Sequence, residues 1–274
     1  MDEYFAANRE LWNTWAELHT GPTADPKHYN LDAFRAGASS LHSIERDELG
    51  DVAGKSLLHL QCHFGMDTLS WARLGAKVTG LDFAPKAIEQ AEKLRDEIGL
   101  EADFVCASVY DAPNALQGQF DIVYTSYGAI GWLPDLMKWA EVITHFLRPG
   151  GTFYIVEFHP FAYIFDNGGA VTELTFRYPY FHGGEVIAET SQGSYGSSGG
   201  HPVLPEYGWD HSIGEIVTAL ASAGLRIEFL HEFPFNVMRW FPFMEPREDG
   251  YWHLTQNEKM IPMLYSLKAT KPDV

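Results

Sequence analysis

Apolar positions change their spacing along this chain, and each change marks an element. Residues 3–18 carry Tyr4, Phe5, Leu11, Trp12, Trp15 and Leu18 on one face, broken by the polar Asn8. That spacing predicts an amphipathic amino-terminal helix that needs a partner surface. Residues 20–55 are mixed, with turn signals at Gly21-Pro22 and Asp25-Pro26 and a short helix expected before Gly50. From residue 56 the pattern tightens. An apolar run (56–60), a turn (61–65), a helical stretch (66–74) and a second apolar run (76–81) ending at Asp82 predict two parallel strands joined by a helix.

The alternation continues downstream. Pro85 opens a helix to about residue 98, with Ala87, Ile88, Ala91, Leu94 and Ile98 inward and Gly99 ending it. Apolar runs at 102–107, 120–125 and 152–158 predict three more strands. A helix over 134–147 and the turn Leu147-Arg148-Pro149-Gly150-Gly151 separate the last two. Residues 172–181 and 185–192 flank His182-Gly183-Gly184 and read as an inserted β-hairpin, followed by a flexible Gly/Ser-rich loop over 193–200. Ser212 and Glu215 fit a capping box for a helix to Ala223, stopped at Gly224. Strands are expected at 226–230 and 263–269, and the aromatic stretch 236–254 between them is a candidate wall of a substrate pocket.

In an open parallel sheet, ligands bind beyond the carboxyl ends of the strands where the strand order reverses. The turn Gln61-Cys62-His63-Phe64-Gly65 and the acid Asp82 fall on that rim, suiting a nucleoside whose ribose diol Asp82 holds. A dinucleotide pyrophosphate needs several glycines for close backbone approach. This turn has one, so a nicotinamide-dependent oxidoreductase is the rival reading and a phosphate-free nucleoside the preferred one.

The stretch resembles motif I and the following acidic motif of class I S-adenosylmethionine-dependent methyltransferases, usually D-x-G-x-G-x-G and then V-x-G-x-D. Gly65, Gly80 and Asp82 match, and Cys62 stands at a variable position. His59 replaces the usual acid, and Gln61 and His63 replace glycines. The F-D-I-V strand (120–123) and the L-R-P-G-G turn (147–151) resemble family features in the expected order. The resemblance implies a Rossmann-like α/β fold: a seven-stranded, mostly parallel sheet with an amino-terminal helical cap and an inserted β-hairpin. One domain is expected, with residues 1–55 as cap, 56–158 as cofactor-binding core, 159–208 as inserted arm and 209–274 completing the sheet.

It also implies S-adenosylmethionine as cofactor, held by Gln61, Cys62, His63, Gly65, Asp82, Phe83, Ser108, Val109 and Ser126, with Trp15 closing over it. The activity implied is methyl transfer to an O, N or C atom of a small molecule. Methyl transfer from a sulfonium is an in-line displacement, so alignment is the protein's main contribution and a base is needed only for a protonated nucleophile. His159 and Tyr127 are the candidate bases, and Glu157 is placed to orient a neighbour. The departures at Gln61 and His63 also motivate a second rival, a methyltransferase-like protein that binds ligand without turnover.

Composition narrows the partners. The 274 residues carry 19 Lys and Arg against 37 Asp and Glu, a formal charge of −18, which argues against a nucleic-acid phosphate backbone. No run approaches 18 apolar residues, so no spanning helix is expected. The polar, acidic start does not read as a signal peptide, and Cys62 and Cys106 read as free thiols. The expected location is therefore cytoplasmic. His59, Cys62 and His63 lack an evident fourth ligand, and no metal site is expected. A Ser-based hydrolase is excluded by the absence of a G-x-S-x-G elbow. The inserted arm is a candidate cap over the substrate or a homodimer contact.

Overall fold

The computed structural model describes residues 2–181 and 183–273; His182, at the predicted hairpin turn, lies outside them. Three helices precede the sheet: α1 (Asp2–Thr20), α2 (Leu31–Arg35) and α3 (Ser43–Leu49). The predicted strand–helix–strand unit is present as β1 (Ser56–Leu60), α4 (Met66–Arg73) and β2 (Lys77–Asp82). The two strands pair in parallel, with Leu57 opposite Val78 and Leu60 opposite Leu81. Then follow α5 (Pro85–Ile98), β3 (Asp103–Cys106), a single turn α6 (Ala112–Ala115), β4 (Phe120–Ser126), α7 (Leu136–Phe146) and β5 (Leu147–Phe158). Pro85 stands in the first turn of α5 and Gly99 closes it in the left-handed region, as its sequence signals predict.

Past β5 lie the hairpin β6 (Ile187–Ser194) and β7 (Ser197–Gly208), α8 (Ile213–Ser222) and β8 (Arg226–Phe233). The short strands β9 (Phe235–Asn236), β10 (Met244–Pro246) and β11 (Trp252–Leu254) lead to β12 (Leu264–Thr270). The main sheet has seven strands in the order β3-β2-β1-β4-β5-β12-β8. β12 is antiparallel to both neighbours, and the pairs from β3 to β5 are parallel. The order reverses between β1 and β4, which opens a crevice beyond their carboxyl ends.

Alternation along β1 sends its side chains to opposite faces. Leu58 and Leu60 join Val123, Ile155 and Leu267 in a core covered by Trp139 and Ile143 of α7 and Leu220 of α8. Leu57 joins Trp71 of α4 and Tyr124, Tyr154 and Val156 on the other face. His59 shares that second face, its ring 4.7 Å from that of Tyr124.

The inserted arm differs from its expected form. The hairpin is built from 187–208, with its turn at Tyr195 and Gly196, and the stretch expected to be a flexible loop supplies its tip and strand ends. Segment 172–181 contributes only an isolated bridge, Phe165 to Phe176. The hairpin packs on α1: Asn8 exchanges hydrogen bonds with the Tyr207 main chain at 2.7 and 3.0 Å. Its glycines permit that approach, since a Cβ at Gly196 would meet Tyr29 at 2.7 Å and His19 at 2.8 Å. The stretch 236–254 forms the small sheet β10-β11-β9. There Phe241, Met244 and Leu254 pack with Ala162 and Met263. Among the described residues no helix is long and apolar enough to cross a membrane.

Candidate active site

The turn after β1 puts two residues in a conformation that normally selects glycine. Gln61 has φ 58° and His63 has φ 51°, in the left-handed region that costs a residue with a Cβ on the order of 1–2 kcal/mol. The surroundings hold both in place. Gln61 donates from Nε2 to the Ala129 carbonyl at 2.7 Å. The His63 N–H donates to Asp82 Oδ2 at 2.9 Å, so the turn and the end of β2 are locked together. Asp82 Oδ1 accepts from the Ala84 N–H at 2.9 Å. The Asp82 side chain is buried, and that burial pushes its carboxyl up to about 6.

Above the turn lies α1. His19 Nδ1 meets His63 Nε2 at 2.9 Å, and His19 Nε2 meets Ser194 Oγ of the hairpin at 2.8 Å. Burial lowers both imidazoles, His19 to about 3 and His63 well below its usual range. Both are therefore neutral at pH 7 and share one proton across their contact. Trp12 packs edge-on to His63 and Trp132, and Trp15 donates from its indole N–H to the Gly193 carbonyl at 3.0 Å. Trp15 thus packs between Trp12, Trp132 and Tyr195 of the hairpin.

Beside this cover is a hollow lined by Asn8, Gln61, Phe83, Ser108, Val109 and Trp132, with room of about 20 Å³, enough for one water. The structure brings Gln61, Phe83, Ser108 and Val109 together there. Ser108 also caps the following turn, where its hydroxyl donates to Asp111 Oδ2 at 2.7 Å and accepts the Asp111 N–H. Cys62 and Gly65 sit in the same turn as Gln61, with Cys62 a buried free thiol.

Ser126 lies at the end of β4 and faces away from this hollow. Its hydroxyl is 3.2 Å from His59 Nε2 and donates to Asp67 Oδ2 at 3.1 Å. His59 Nδ1 bonds Thr68 Oγ1 at 2.8 Å. The three residues considered as metal ligands are thus drawn apart: His59 is tied to α4 and His63 to α1.

The two candidate bases, His159 and Tyr127, are both engaged in hydrogen bonds within the protein. His159 Nδ1 accepts the Phe161 N–H at 3.0 Å, and Nε2 donates to Glu232 at 2.8 Å. Both ring nitrogens thus have partners in this structure. The Tyr127 hydroxyl donates to Glu45 Oε2 at 3.0 Å, and burial raises its pKa further. Glu157 does orient its neighbours. Its carboxylate accepts the N–H groups of Gly128, Ala129, Ile130 and Phe158, fixing the loop after β4 that carries Ala129 and Trp132.

Sequence reasoning passes over His19, Asp67, Glu45 and Trp132. Asp67 is detectable as an acid in the first turn of α4, two residues after Gly65. Glu45 and His19 carry no local signal, because tertiary packing alone brings them to the crevice.

The methyltransferase domain family matches residues 57–151. A ubiquinone biosynthesis O-methyltransferase of Chromobacterium violaceum is 32% identical over 105 residues, covering 38% of this chain and 45% of that protein. An uncharacterized methyltransferase of Synechocystis is 32% identical over 125 residues, 45% of this chain and 56% of its own. The chain thus spans about half the length of these curated relatives. Among solved structures, a putative S-adenosylmethionine dependent methyltransferase from Listeria monocytogenes superposes with a TM-score of 0.57 at 19% identity, covering 82% of this chain and 94% of its own. At that identity the likeness supports the fold.

Proposed function

We propose that the protein transfers a methyl group from S-adenosylmethionine to an O, N or C atom of a small molecule, a reading supported by the match of residues 57–151 to the methyltransferase domain family. The observation that carries this reading is the polar rim of the β1/β4 crevice. Asp82 offers a buried carboxylate at the end of β2, and Gln61 Oε1 and His63 Nδ1 are buried without hydrogen-bond partners. Orphaned buried polar atoms cost about 1–3 kcal/mol each, and a polar nucleoside is the guest that meets them. Asp82 would hold the ribose hydroxyls, Phe83, Ser108 and Val109 would flank the adenine, and Trp15 and Trp132 would cover the crevice. Bound there, the cofactor supplies an activated methyl group on a sulfonium. The chain's own part is alignment, worth up to roughly 7–11 kcal/mol.

The relatives named as O-methyltransferases of ubiquinone biosynthesis motivate hydroxylated compounds as the first acceptors to try. Calorimetric titration with S-adenosylmethionine, S-adenosylhomocysteine and NADH tests the reading. The adenosyl ligands should bind, and Asp82→Ala should weaken them by about 1–3 kcal/mol, the cost of hydrogen bonds lost to a buried ribose. Binding of NADH alone, or an unchanged affinity in the folded variant, would overturn the assignment. The side chains of Gln61 and His63, both at positive φ where the family usually has glycine, favour a second reading, ligand binding without turnover. A single methylated product from an acceptor panel removes it.

A further inference from the structure

The aromatic stretch expected to wall a substrate pocket meets the crevice through a run of four rings. Tyr127 begins the loop after β4, and its ring lies 6.0 Å from that of Phe158 at the end of β5. Phe158 is 5.1 Å from Trp240, in the segment between β9 and β10, and Trp240 stands edge-on to Tyr163 at 4.8 Å. Each of the four keeps part of its surface exposed. Tyr127 and Phe158 pack against the core on the α4 face of the main sheet, and Trp240 packs against the separate core of the small sheet. The aromatic rings inside those cores, Tyr124, Tyr154 and Phe241, are exposed by 1% or less. A connected run of large rings left open beside a crevice has the character of a ligand-binding surface rather than of core packing.

A second observation gives this surface its chemistry. The indole N–H of Trp240 and the side-chain amide nitrogen of Asn236 are buried and have no hydrogen-bond partner among the described residues. Asn236, in β9, has no exposed surface, and its Oδ1 already accepts the Met238 N–H at 3.2 Å. Trp71 and Trp139 also carry unmatched N–H groups, but both lie wholly inside a core, whereas Trp240 belongs to the open run. The polar groups beside the rings are already matched. Glu157 accepts four main-chain N–H groups, and the Tyr127 hydroxyl donates to Glu45. What the surface lacks is an oxygen with free lone pairs, and its ring faces suit a flat partner.

We propose that Tyr127, Phe158, Tyr163 and Trp240 form the wall that receives the methyl acceptor, and that they select a planar aromatic molecule bearing a carbonyl oxygen, with Trp240 and Asn236 as the donors to that oxygen. The inference rests on the methyltransferase reading and names the acceptor class which that reading leaves open. The acceptor ring stacks on the exposed aromatic faces, and its carbonyl meets N–H groups that the protein leaves unmatched. The wall starts at the loop that Gln61 ties to the motif turn. An acceptor lying along it therefore has one end at the crevice and its carbonyl toward Trp240.

The test is calorimetric titration of three probes into the protein, with and without S-adenosylhomocysteine. 4-Hydroxyacetophenone carries the aromatic ring and the carbonyl, 4-ethylphenol the ring alone, and cyclohexyl methyl ketone the carbonyl on a ring that is not aromatic. The wild type should bind the first about 10-fold more tightly than either of the others. Trp240→Phe keeps a ring and removes the N–H. It should lower 4-hydroxyacetophenone affinity by about 10-fold and leave 4-ethylphenol unchanged. Asn236→Asp removes the second donor and should act in the same direction; if it does not fold, Trp240→Phe decides alone. Equal affinities for the three probes, or a carbonyl preference that Trp240→Phe leaves intact, would overturn the wall. A protein that binds S-adenosylhomocysteine and none of the probes refutes the wall but not the methyltransferase reading. One that shows the probe preference and binds no adenosyl ligand refutes that reading and leaves the wall standing.

Discussion

Glu157→Gln tests the most heavily used hydrogen-bonding group near the crevice. In the native protein Oε1 accepts the N–H groups of Gly128 and Phe158, and Oε2 accepts those of Ala129 and Ile130 at 2.7 and 3.3 Å. An amide keeps one oxygen, so two main-chain donors lose their acceptor and face an NH₂ instead. Each buried donor left unmet costs about 1–3 kcal/mol. Removing the charge recovers part of this, because burial already raises the Glu157 carboxyl above its usual range. The net expectation is a loss of roughly 2–4 kcal/mol in urea-induced unfolding at pH 7. The loop is also tied to the motif turn, since Gln61 donates to Ala129. Adenosyl-ligand affinity should therefore fall in the folded variant too. A stability change below about 0.5 kcal/mol, the range of ordinary surface substitutions, would refute the claim that this carboxylate fixes the loop.

Three further outcomes follow from the same geometry. At Gln61, alanine and glycine both lose the bond to Ala129, but only glycine relieves the left-handed backbone; Gln61→Gly should be about 1 kcal/mol more stable than Gln61→Ala in thermal unfolding, and equal stabilities would discount the strain. Trp15→Ala removes a buried indole and should cost about 3–5 kcal/mol while exposing the hairpin to protease, read by limited proteolysis of the folded fraction. Glu45 titrates higher in the folded protein, at about 8, than in the unfolded chain. The folded state therefore holds the extra proton between about pH 4.5 and 8, and stability drops through that window as pH rises, by at most about 1.4 kcal/mol per unit. Glu45→Gln should flatten that decline in a pH series of unfolding curves, and an unaltered slope would show that Glu45 does not hold the proton.

The sheet was legible because its strands carry a strong, uniform signal. β1, β2, β4 and β5 are apolar runs buried on both faces, and Pro85, Gly99 and the Ser212–Glu215 box punctuate the helices by local chemistry. The hairpin was misread for a physical reason. Phe176 and Phe181 have strong strand propensity yet are 72% and 78% exposed, whereas the Gly/Ser-rich stretch forms paired strands because α1 presses against it. Propensity gave way to packing there. At the site, the acid at the end of β2 and the turn after β1 were readable from spacing. The engagement of His159 by Glu232 and of Tyr127 by Glu45 was not, because those partners lie 73 and 82 residues away in sequence.

The seating of α1 against the hairpin bears on how the chain is made. Asn8 finds its partner at Tyr207, 199 residues later. At roughly 5–20 residues per second on a ribosome, some ten to forty seconds separate their emergence. Over that interval the tryptophan-bearing flank of the leading helix lacks the cover that the hairpin supplies, and a chaperone has both the time and the greasy target to engage the nascent polypeptide.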